Sequence, residues 1–201
     1  MKYAAIVDYG AGNLMSVRNT LDYLGLQSMV TGDKDEIGRA AGVILPGVGA
    51  FPAGMAALRK SGLVPVLQRA AAEKPLLGIC LGMQFLLTES EEIAPAPGLG
   101  LIPGRVRRIQ TALKLPQIGW NSLSVRKKDP LLAGVPDGSY VYFVHSFAAE
   151  PEEKEDVAAV CDYGGEVTAM VSRGTVFGCQ FHPEKSGETG LAILRNFQNL
   201  L

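Results

Sequence analysis

The sequence has few residues of the kinds that mark disulfide-rich, membrane or nucleic-acid-binding proteins. Three cysteines at wide spacing in 201 residues argue against a disulfide framework and are typical of a reducing compartment. The net charge is −1, so nothing favours binding to nucleic acid or an anionic membrane. No apolar run is long enough to span a bilayer, and Asp8 comes too early for a signal peptide. We therefore expect a cytoplasmic globular protein.

In the first half of the chain, continuously apolar segments alternate with segments whose apolar residues recur at helical spacing. Segments such as 42–47 and 75–79 are continuously apolar, as in strands buried on both faces, and 14–24 has apolar residues at helical spacing. The segment 81–90 is predicted to begin another helix. Short strands separated by Gly, Pro and Asp follow, and a helix ends the sequence. This pattern predicts one α/β domain, residues 1–201, with a three-layer, mostly parallel open sheet and an antiparallel extension.

A cysteine lies between two glycines in segment 74–87, KPLLGICLGMQFLL. Strand, Gly-x-Cys-x-Gly and helix is the order of a nucleophile elbow, where glycines permit a tight turn and close packing. Such a turn would place the Cys80 thiol at a helix N-terminus, whose dipole favours the reactive thiolate. The alternative is a small buried hydrophobic side chain. The paired glycines favour Cys80 as a nucleophile, whereas Cys161 and Cys179 lack them and are interpreted as core residues.

His182 and Glu184 follow a predicted strand in the segment CQFHPEKSG. A cysteine nucleophile usually needs a base, and the base needs an orienting group. In an extended chain residues two apart point the same way, so Glu184 would fix the imidazole tautomer and leave the other nitrogen for Cys80. His145, the only other histidine, is the alternative base, but no carboxylate follows it at the same spacing.

Metal and nucleotide sites are the competing interpretations of two segments. Cys179 and His182 have the spacing of a zinc half-site, but on a strand they face opposite sides, and the sequence has no second pair. The segment DYGAGN (8–13) resembles a dinucleotide loop, but Met15 occupies the position of its third glycine. We therefore expect neither a metal nor a cofactor.

Acyl chemistry on a thiol also needs hydrogen-bond donors for the developing oxyanion. The N–H of Leu81, just after the nucleophile, is one candidate. The loop PGVGAF (46–51) is the other, because its glycines let the N–H groups of Val48 and Gly49 turn toward a negative charge. A simple turn is the alternative interpretation of this loop.

Four segments together resemble the class I glutamine amidotransferases, which use a Cys-His-Glu triad. PGVGAF, GICLGMQ, GWNSL and QFHPEKSG stand in that family's order and spacing across the whole chain. Within the family, the segments most resemble the glutaminase subunits of imidazole glycerol phosphate synthase, from histidine biosynthesis. Ile118 is a small departure, since methionine is expected there. The resemblance implies a flavodoxin-like class I amidotransferase fold, and hydrolysis of L-glutamine to glutamate and ammonia through a thioester on Cys80.

The resemblance also implies contacts with substrate and partner. It implies that the ammonia passes to a (β/α)8-barrel synthase (cyclase) subunit in a heterodimer. Core packing is the alternative for Trp120, and a solvated surface charge is the alternative for Lys185. The implied glutamine contacts are Gly47, Gly49, Ala50, Gln84 and the backbone near His145, Ser146 and Phe147, and the implied docking face comprises Tyr9, Asn13, Trp120, Asn121 and Lys185.

Three other functions stay open at this point. The chain could be the glutaminase subunit of a different synthase. A cysteine peptidase or chaperone of the related α/β superfamily would share the elbow but lack the HPEKSG setting. A non-enzymatic flavodoxin-like module would tolerate the replacement of Cys80.

Overall fold

A computed structural model describes residues 2–201. Within them the chain forms 14 strands, six α-helices and three short 3-10 helices. The helices are α1 (Leu14–Tyr23), α2 (Lys34–Arg39), α3 (Phe51–Lys60), α4 (Val64–Glu73), α5 (Leu81–Gln84) and α6 (Gly187–Gln198), and the 3-10 helices are Pro130–Leu132, Lys154–Asp156 and Pro183–Lys185. The strands are β1 (Ala4–Val7), β2 (Ser28–Thr31), β3 (Gly42–Gly47), β4 (Leu76–Cys80), β5 (Leu87–Ser90), β6 (Ala96–Pro97), β7 (Ile102–Arg108), β8 (Gln117–Ser122), β9 (Ser124–Val125), β10 (Tyr140–His145), β11 (Phe147–Pro151), β12 (Val157–Asp162), β13 (Glu166–Arg173) and β14 (Val176–Cys179).

The largest sheet has eight strands in the order β2-β1-β3-β4-β14-β13-β12-β9. The strands from β2 to β14 in this order pair in parallel. The remaining three extend the sheet by antiparallel pairing. The predicted α/β fold, mostly parallel with an antiparallel extension, is therefore confirmed.

Each face of the large sheet is covered by a hydrophobic core. In β1, Ala4 and Ile6 point into the core shared with α1 and α6. Ala5 and Val7 point into the opposite core, shared with α2, α3 and α4. Because both faces are buried, these strands are continuously apolar in sequence, and the layers number three, as predicted.

Two smaller sheets flank this framework. The four-stranded sheet β11-β7-β5-β6 contributes to the core beneath α3 and α4. The two-stranded ribbon β8–β10 packs on the opposite core through Val141 and Phe143. No helix among the described residues is both long and apolar enough to cross a membrane.

The prediction of a helix in segment 81–90 is correct for its first turn and wrong beyond it. α5 ends at Gln84, and the following residues form β5, where Leu87 pairs with Ile102 of β7. Leu86 and Leu87 are both fully buried. A run that is buried on all sides has no helical face, so its periodicity does not separate a helix from a strand.

Candidate active site

Cys80 occupies a strained turn at the carboxyl end of β4. Its φ of 55° and ψ of −112° lie in a region that residues with a side chain rarely adopt. Such strain persists only where surrounding structure holds it, and it is common at reactive residues. The main chain turns directly from β4 into α5 here, which is the geometry of a nucleophile elbow.

The glycines around Cys80 are required by close backbone packing. A Cβ atom on Gly82 would lie 1.7 Å from the carbonyl oxygen of Leu45, and one on Gly78 would lie 2.5 Å from that of Gly82. Gly47, which pairs with Cys80 between β3 and β4, is equally tight, since its Cβ would lie 2.8 Å from the Gly82 nitrogen. No side chain fits at these positions, so the elbow depends on glycine.

The helix after Cys80 gives the thiol less electrostatic support than the sequence predicts. α5 is a single turn of four residues. A helix dipole is the sum of aligned peptide dipoles, so one turn contributes little. The predicted helix N-terminus at Cys80 is therefore present, but its dipole is weaker than that of the helix predicted to continue through residues 81–90.

His182 and Glu184 form a buried pair beside the elbow. Nδ1 of His182 lies 2.8 Å from Oε1 of Glu184, and the two side chains are 4% and 1% exposed. The sequence expects an extended chain to align them, but β14 ends at Cys179 and a 3-10 turn over Pro183–Lys185 returns Glu184 to the imidazole. Among the described residues, Nε2 of His182 has no hydrogen-bond partner, so this nitrogen is available to the pocket.

Two neighbours favour the protonated form of His182. Burial lowers the pKa of His182, but interactions with Cys80 and Glu184 outweigh it and raise the pKa from 6.5 to about 9. The imidazole therefore tends to hold a proton near neutral pH. A protonated imidazole beside a thiol favours the thiolate, which is the nucleophilic form.

His145, the alternative base, is held by the protein through both ring nitrogens. Nδ1 lies 2.9 Å from the carbonyl oxygen of Phe147, and Nε2 lies 3.0 Å from Oε1 of Gln117. Burial lowers the pKa of His145 to about 4, so the ring is neutral at physiological pH. These contacts fit a structural role in the pocket wall better than that of a proton acceptor for Cys80.

Most of the predicted catalytic and substrate-contact residues line one cavity of about 440 Å³. Cys80 and His182 both line it, and Glu184 lies behind His182. Gly47 and Ala50 are not among the lining residues. The other predicted residues in the wall are Val48, Gly49, Leu81, Gln84, His145, Ser146 and Phe147.

Glu92, Pro116 and Val144 also line the cavity, and sequence reasoning missed them. Oε2 of Glu92 accepts a hydrogen bond from the N–H of Phe51, 2.7 Å away, at the start of α3. The only sequence signal for Glu92 is an acidic pair after β5, which reads as a solvated loop. Its place in the pocket depends on β5 being a strand, which the sequence does not predict.

A chain of buried amides runs behind the cavity. Nε2 of Gln84 donates to the carbonyl oxygen of Phe147 at 2.9 Å and to Oε1 of Gln180 at 3.0 Å. Oε1 of Gln84 is buried and has no hydrogen-bond partner among the described residues. Gln84 lines the cavity, so this oxygen is an unused acceptor in the cavity wall. Gln180 was missed by sequence reasoning, although it precedes the HPE segment.

The predicted docking residues have different environments. Trp120 is 56% exposed on β8, which excludes core packing. Lys185 is also exposed, while Asn13 and Asn121 are partly buried. Tyr9 is buried, and its hydroxyl donates to the Pro46 carbonyl oxygen at 3.1 Å, so Tyr9 offers a partner little surface.

Residues 2–201 contain no group of three or more His, Cys, Asp or Glu side chains placed to hold a metal ion. Cys179 is fully buried in the core, whereas His182 contacts Glu184.

Comparison with known proteins decides the family. The family profile described as "Glutamine amidotransferase class-I" matches residues 5–200. The chain belongs to the class I glutamine amidotransferases. This amidotransferase is 52% identical over 198 residues to "Imidazole glycerol phosphate synthase subunit HisH" of Bacillus cereus (strain G9842), with 98% of this chain and 94% of the relative covered. A protein of the same name from Bacillus thuringiensis (strain Al Hakam) is 50% identical over the same shares.

Solved structures share the fold of this amidotransferase. The "Structure of PurLQS from Thermotoga maritima" superposes with a TM-score of 0.78 at 24% identity and covers 99% of each chain. At this identity the likeness shows the fold alone. It agrees with the layered, mostly parallel architecture described above.

Proposed function

We propose that the whole chain, residues 1–201, is one glutamine amidotransferase domain that hydrolyses L-glutamine in the cytoplasm. The ammonia goes to a (β/α)8-barrel synthase (cyclase) subunit that forms imidazole glycerol phosphate in histidine biosynthesis. The observation that carries the glutaminase assignment is the placement of Cys80 and His182 in one cavity, with Glu184 behind the imidazole. The assignment to histidine biosynthesis rests on the names of the bacillus relatives.

The first half of the proposed reaction transfers the acyl group to sulfur. His182 holds the proton of the Cys80 thiol, and the thiolate attacks the side-chain carbonyl carbon of glutamine. The C–N bond then breaks, the imidazolium gives its proton to the departing nitrogen, and ammonia leaves a γ-glutamyl thioester on Cys80. Glu184 stabilises the imidazolium through its 2.8 Å contact with Nδ1.

The second half releases glutamate. Neutral His182 takes a proton from water, and the hydroxide adds to the thioester carbonyl carbon. The C–S bond breaks and restores the cysteine. In both halves the carbonyl oxygen gains negative charge, and the backbone N–H groups of Val48, Gly49 and Leu81, all residues of the cavity wall, are the proposed donors for it.

The cavity has acceptors suited to the amino group of the substrate. Oε1 of Gln84 is buried without a partner, and the Glu92 carboxylate brings negative charge to the same cavity. The α-ammonium group of glutamine would donate a hydrogen bond to Oε1 of Gln84 and neutralise the charge of the Glu92 carboxylate. We infer that these two residues hold the α-ammonium end of glutamine.

The ribbon β8–β10 is the proposed docking surface for the synthase. Its outward side chains include the exposed Ile118, Trp120 and Tyr140, and exposed aromatic side chains are common at interface hot spots. The ribbon is also joined to the catalytic turn, because the N–H of His182 donates to the carbonyl oxygen of Tyr142 at 3.0 Å. A partner seated there would contact β10, the strand to which the backbone of His182 is hydrogen-bonded.

Reconstitution with a barrel synthase tests the proposed function. The complex should form imidazole glycerol phosphate from either glutamine or free ammonia. Cys80→Ala should abolish the glutamine-dependent reaction and retain the ammonia-dependent one, because only the glutaminase half is damaged. If the chain supplies ammonia only to a synthase from a different pathway, the pathway assignment is overturned. If it hydrolyses peptides but not glutamine, the glutaminase assignment is overturned.

A further inference from the structure

The amide of Gln180 lies against the Cys80 sulfur and has no role in the reaction described above. Its side chain is fully buried, and its Nε2 is 3.8 Å from Sγ of Cys80. Sγ also lies 3.9 Å from the carbonyl oxygen of Val144. Besides His182, the sulfur therefore has one acceptor, which only a protonated thiol can use, and one donor, which favours the thiolate.

The orientation of the Gln180 amide is determined by a backbone carbonyl. The oxygen of Phe147 can only accept, so the Gln84 group facing it must be the NH2. That NH2 also faces Gln180, so the Gln180 group facing Gln84 must be its oxygen. The NH2 of Gln180 is then left for Cys80. Flipping either amide would place two donors or two acceptors against each other.

We propose that Gln180 is a positioning residue whose amide N–H holds the Cys80 sulfur and supports its thiolate, in an orientation set by Gln84 and the Phe147 carbonyl. The inference rests on the proposed function, in which Cys80 acts as a thiolate. The N–H of Gln180 would compensate for the weak helix dipole at the elbow, because α5 is a single turn and adds little dipole of its own. Hydrogen bonds to a charged group are the stronger class, and burial strengthens them further.

Other titratable groups also surround the thiol. His182, with Glu184 behind it, faces Cys80 from the turn after β14, and His145 and Glu92 line the same cavity. Tyr9 approaches from the end of β1, and burial and Cys80 raise its pKa, so its hydroxyl stays neutral. None of these groups changes when Gln180 is replaced, so a matched series of variants isolates the amide.

The test is the pH dependence of Cys80 alkylation in the isolated full chain without glutamine. Iodoacetamide is applied over a pH series, and labelling of the Cys80 peptide is followed by mass spectrometry. Gln180→Leu should raise the midpoint by about one pH unit and slow labelling about tenfold below both midpoints. Gln180→Glu should raise it further, because its carboxylate repels the thiolate.

Asn196→Leu is the control. Asn196 is a partly buried amide of α6 whose Nδ2 donates to the carbonyl oxygens of Leu131 and Ala133, and it does not line the cavity, so the Cys80 midpoint should not move. A wild-type midpoint in Gln180→Leu overturns the proposal, and so does an equal shift in Asn196→Leu. Failure of the wild-type complex to hydrolyse glutamine overturns the proposed function instead, since the labelling uses no glutamine.

A further variant keeps the test decisive if circular dichroism shows that the Gln180 variants do not fold. Gln84→Leu leaves Gln180 in place but removes the group that sets its orientation. A raised midpoint for Cys80 then supports the proposal, and an unchanged midpoint overturns it.

Discussion

Nδ1 of His182 and Oε1 of Glu184 lie 2.8 Å apart in two almost wholly buried side chains. Despite burial, Cys80 and Glu184 raise the pKa of His182 from 6.5 to about 9. Because the folded-state pKa is the higher one, the protonated imidazole stabilises the fold fully below about pH 6.5. That contribution is lost as the pH rises through about 9. The same proton that stabilises the fold is the one the proposed mechanism gives to ammonia.

Replacing Glu184 by Gln should therefore reduce turnover and change its pH dependence. We expect kcat for glutamine to fall by about 10²- to 10⁴-fold, with KM changed much less, because Glu184 orients the base and does not line the cavity. Loss of the carboxylate lowers the pKa of His182, so the basic limb of the kcat profile should move to lower pH. Glu188→Gln, an exposed change in the first turn of α6, is the control. An unshifted basic limb in Glu184→Gln would refute the assigned role.

Replacing Gly82 by Ala should destabilise the protein severely. Its Cβ would lie 1.7 Å from the Leu45 carbonyl oxygen, and a backbone atom cannot move aside as a flexible side chain can. The free energy of unfolding from urea titration should fall by more than about 3 kcal/mol. Gly38→Ala is the matched control, since no atom lies within 4 Å of its added Cβ. That helical change should leave stability unchanged or raise it by up to about 1 kcal/mol. Equal stabilities for the two variants would contradict the packing argument.

Replacing Glu92 by Gln should weaken glutamine binding. The change keeps the shape of the side chain but removes the negative charge that faces the cavity. Steady-state kinetics should show KM for glutamine rising about tenfold or more, with kcat within a few-fold. Glu91→Gln, next in sequence, changes a residue whose carboxylate pairs outside the cavity with Arg105 and Arg107, and KM should stay the same. A loss in kcat alone would place Glu92 in the chemistry instead of in binding.

Replacing Trp120 by Ala should weaken the complex with the barrel synthase. The side chain is 56% exposed and packs edge-on to Tyr142, with ring centroids 6.1 Å apart. Titration calorimetry should show Kd rising at least about tenfold, the size typical of an interface hot spot. Tyr23→Ala, at the end of α1 and 77% exposed, should leave Kd unchanged. If the two variants bind the synthase equally well, the ribbon is not the docking surface.

The sequence predicts the elbow and the His182–Glu184 pair because each depends on local order along the chain. Strand, Gly-x-Cys-x-Gly and turn are consecutive residues, and His182 and Glu184 are two positions apart. Even so, the contact between these two comes from a 3-10 turn and not from an extended strand. The residue types therefore predicted the contact between His182 and Glu184, whereas the extended conformation expected for this segment was wrong.

The parts that sequence reasoning missed are formed by distant segments. Glu92 enters the cavity because β5 pairs with β7, and the leucine run before it carries no helical or strand period. Gln180 matters through contacts with Gln84 and Cys80, about a hundred positions away. Tyr9 was expected at a docking face, but it lies buried against Pro46. Nothing in a local pattern shows which way such a side chain turns.

The most direct test of the central claim is to trap the acyl-enzyme. The synthase complex turning over glutamine is quenched in acid, and its peptides are examined by mass spectrometry. We predict one γ-glutamyl group on the peptide that contains Cys80, and none in Cys80→Ala. Glutamine hydrolysis that continues in Cys80→Ala, or a glutamyl group attached to another residue, would contradict the account.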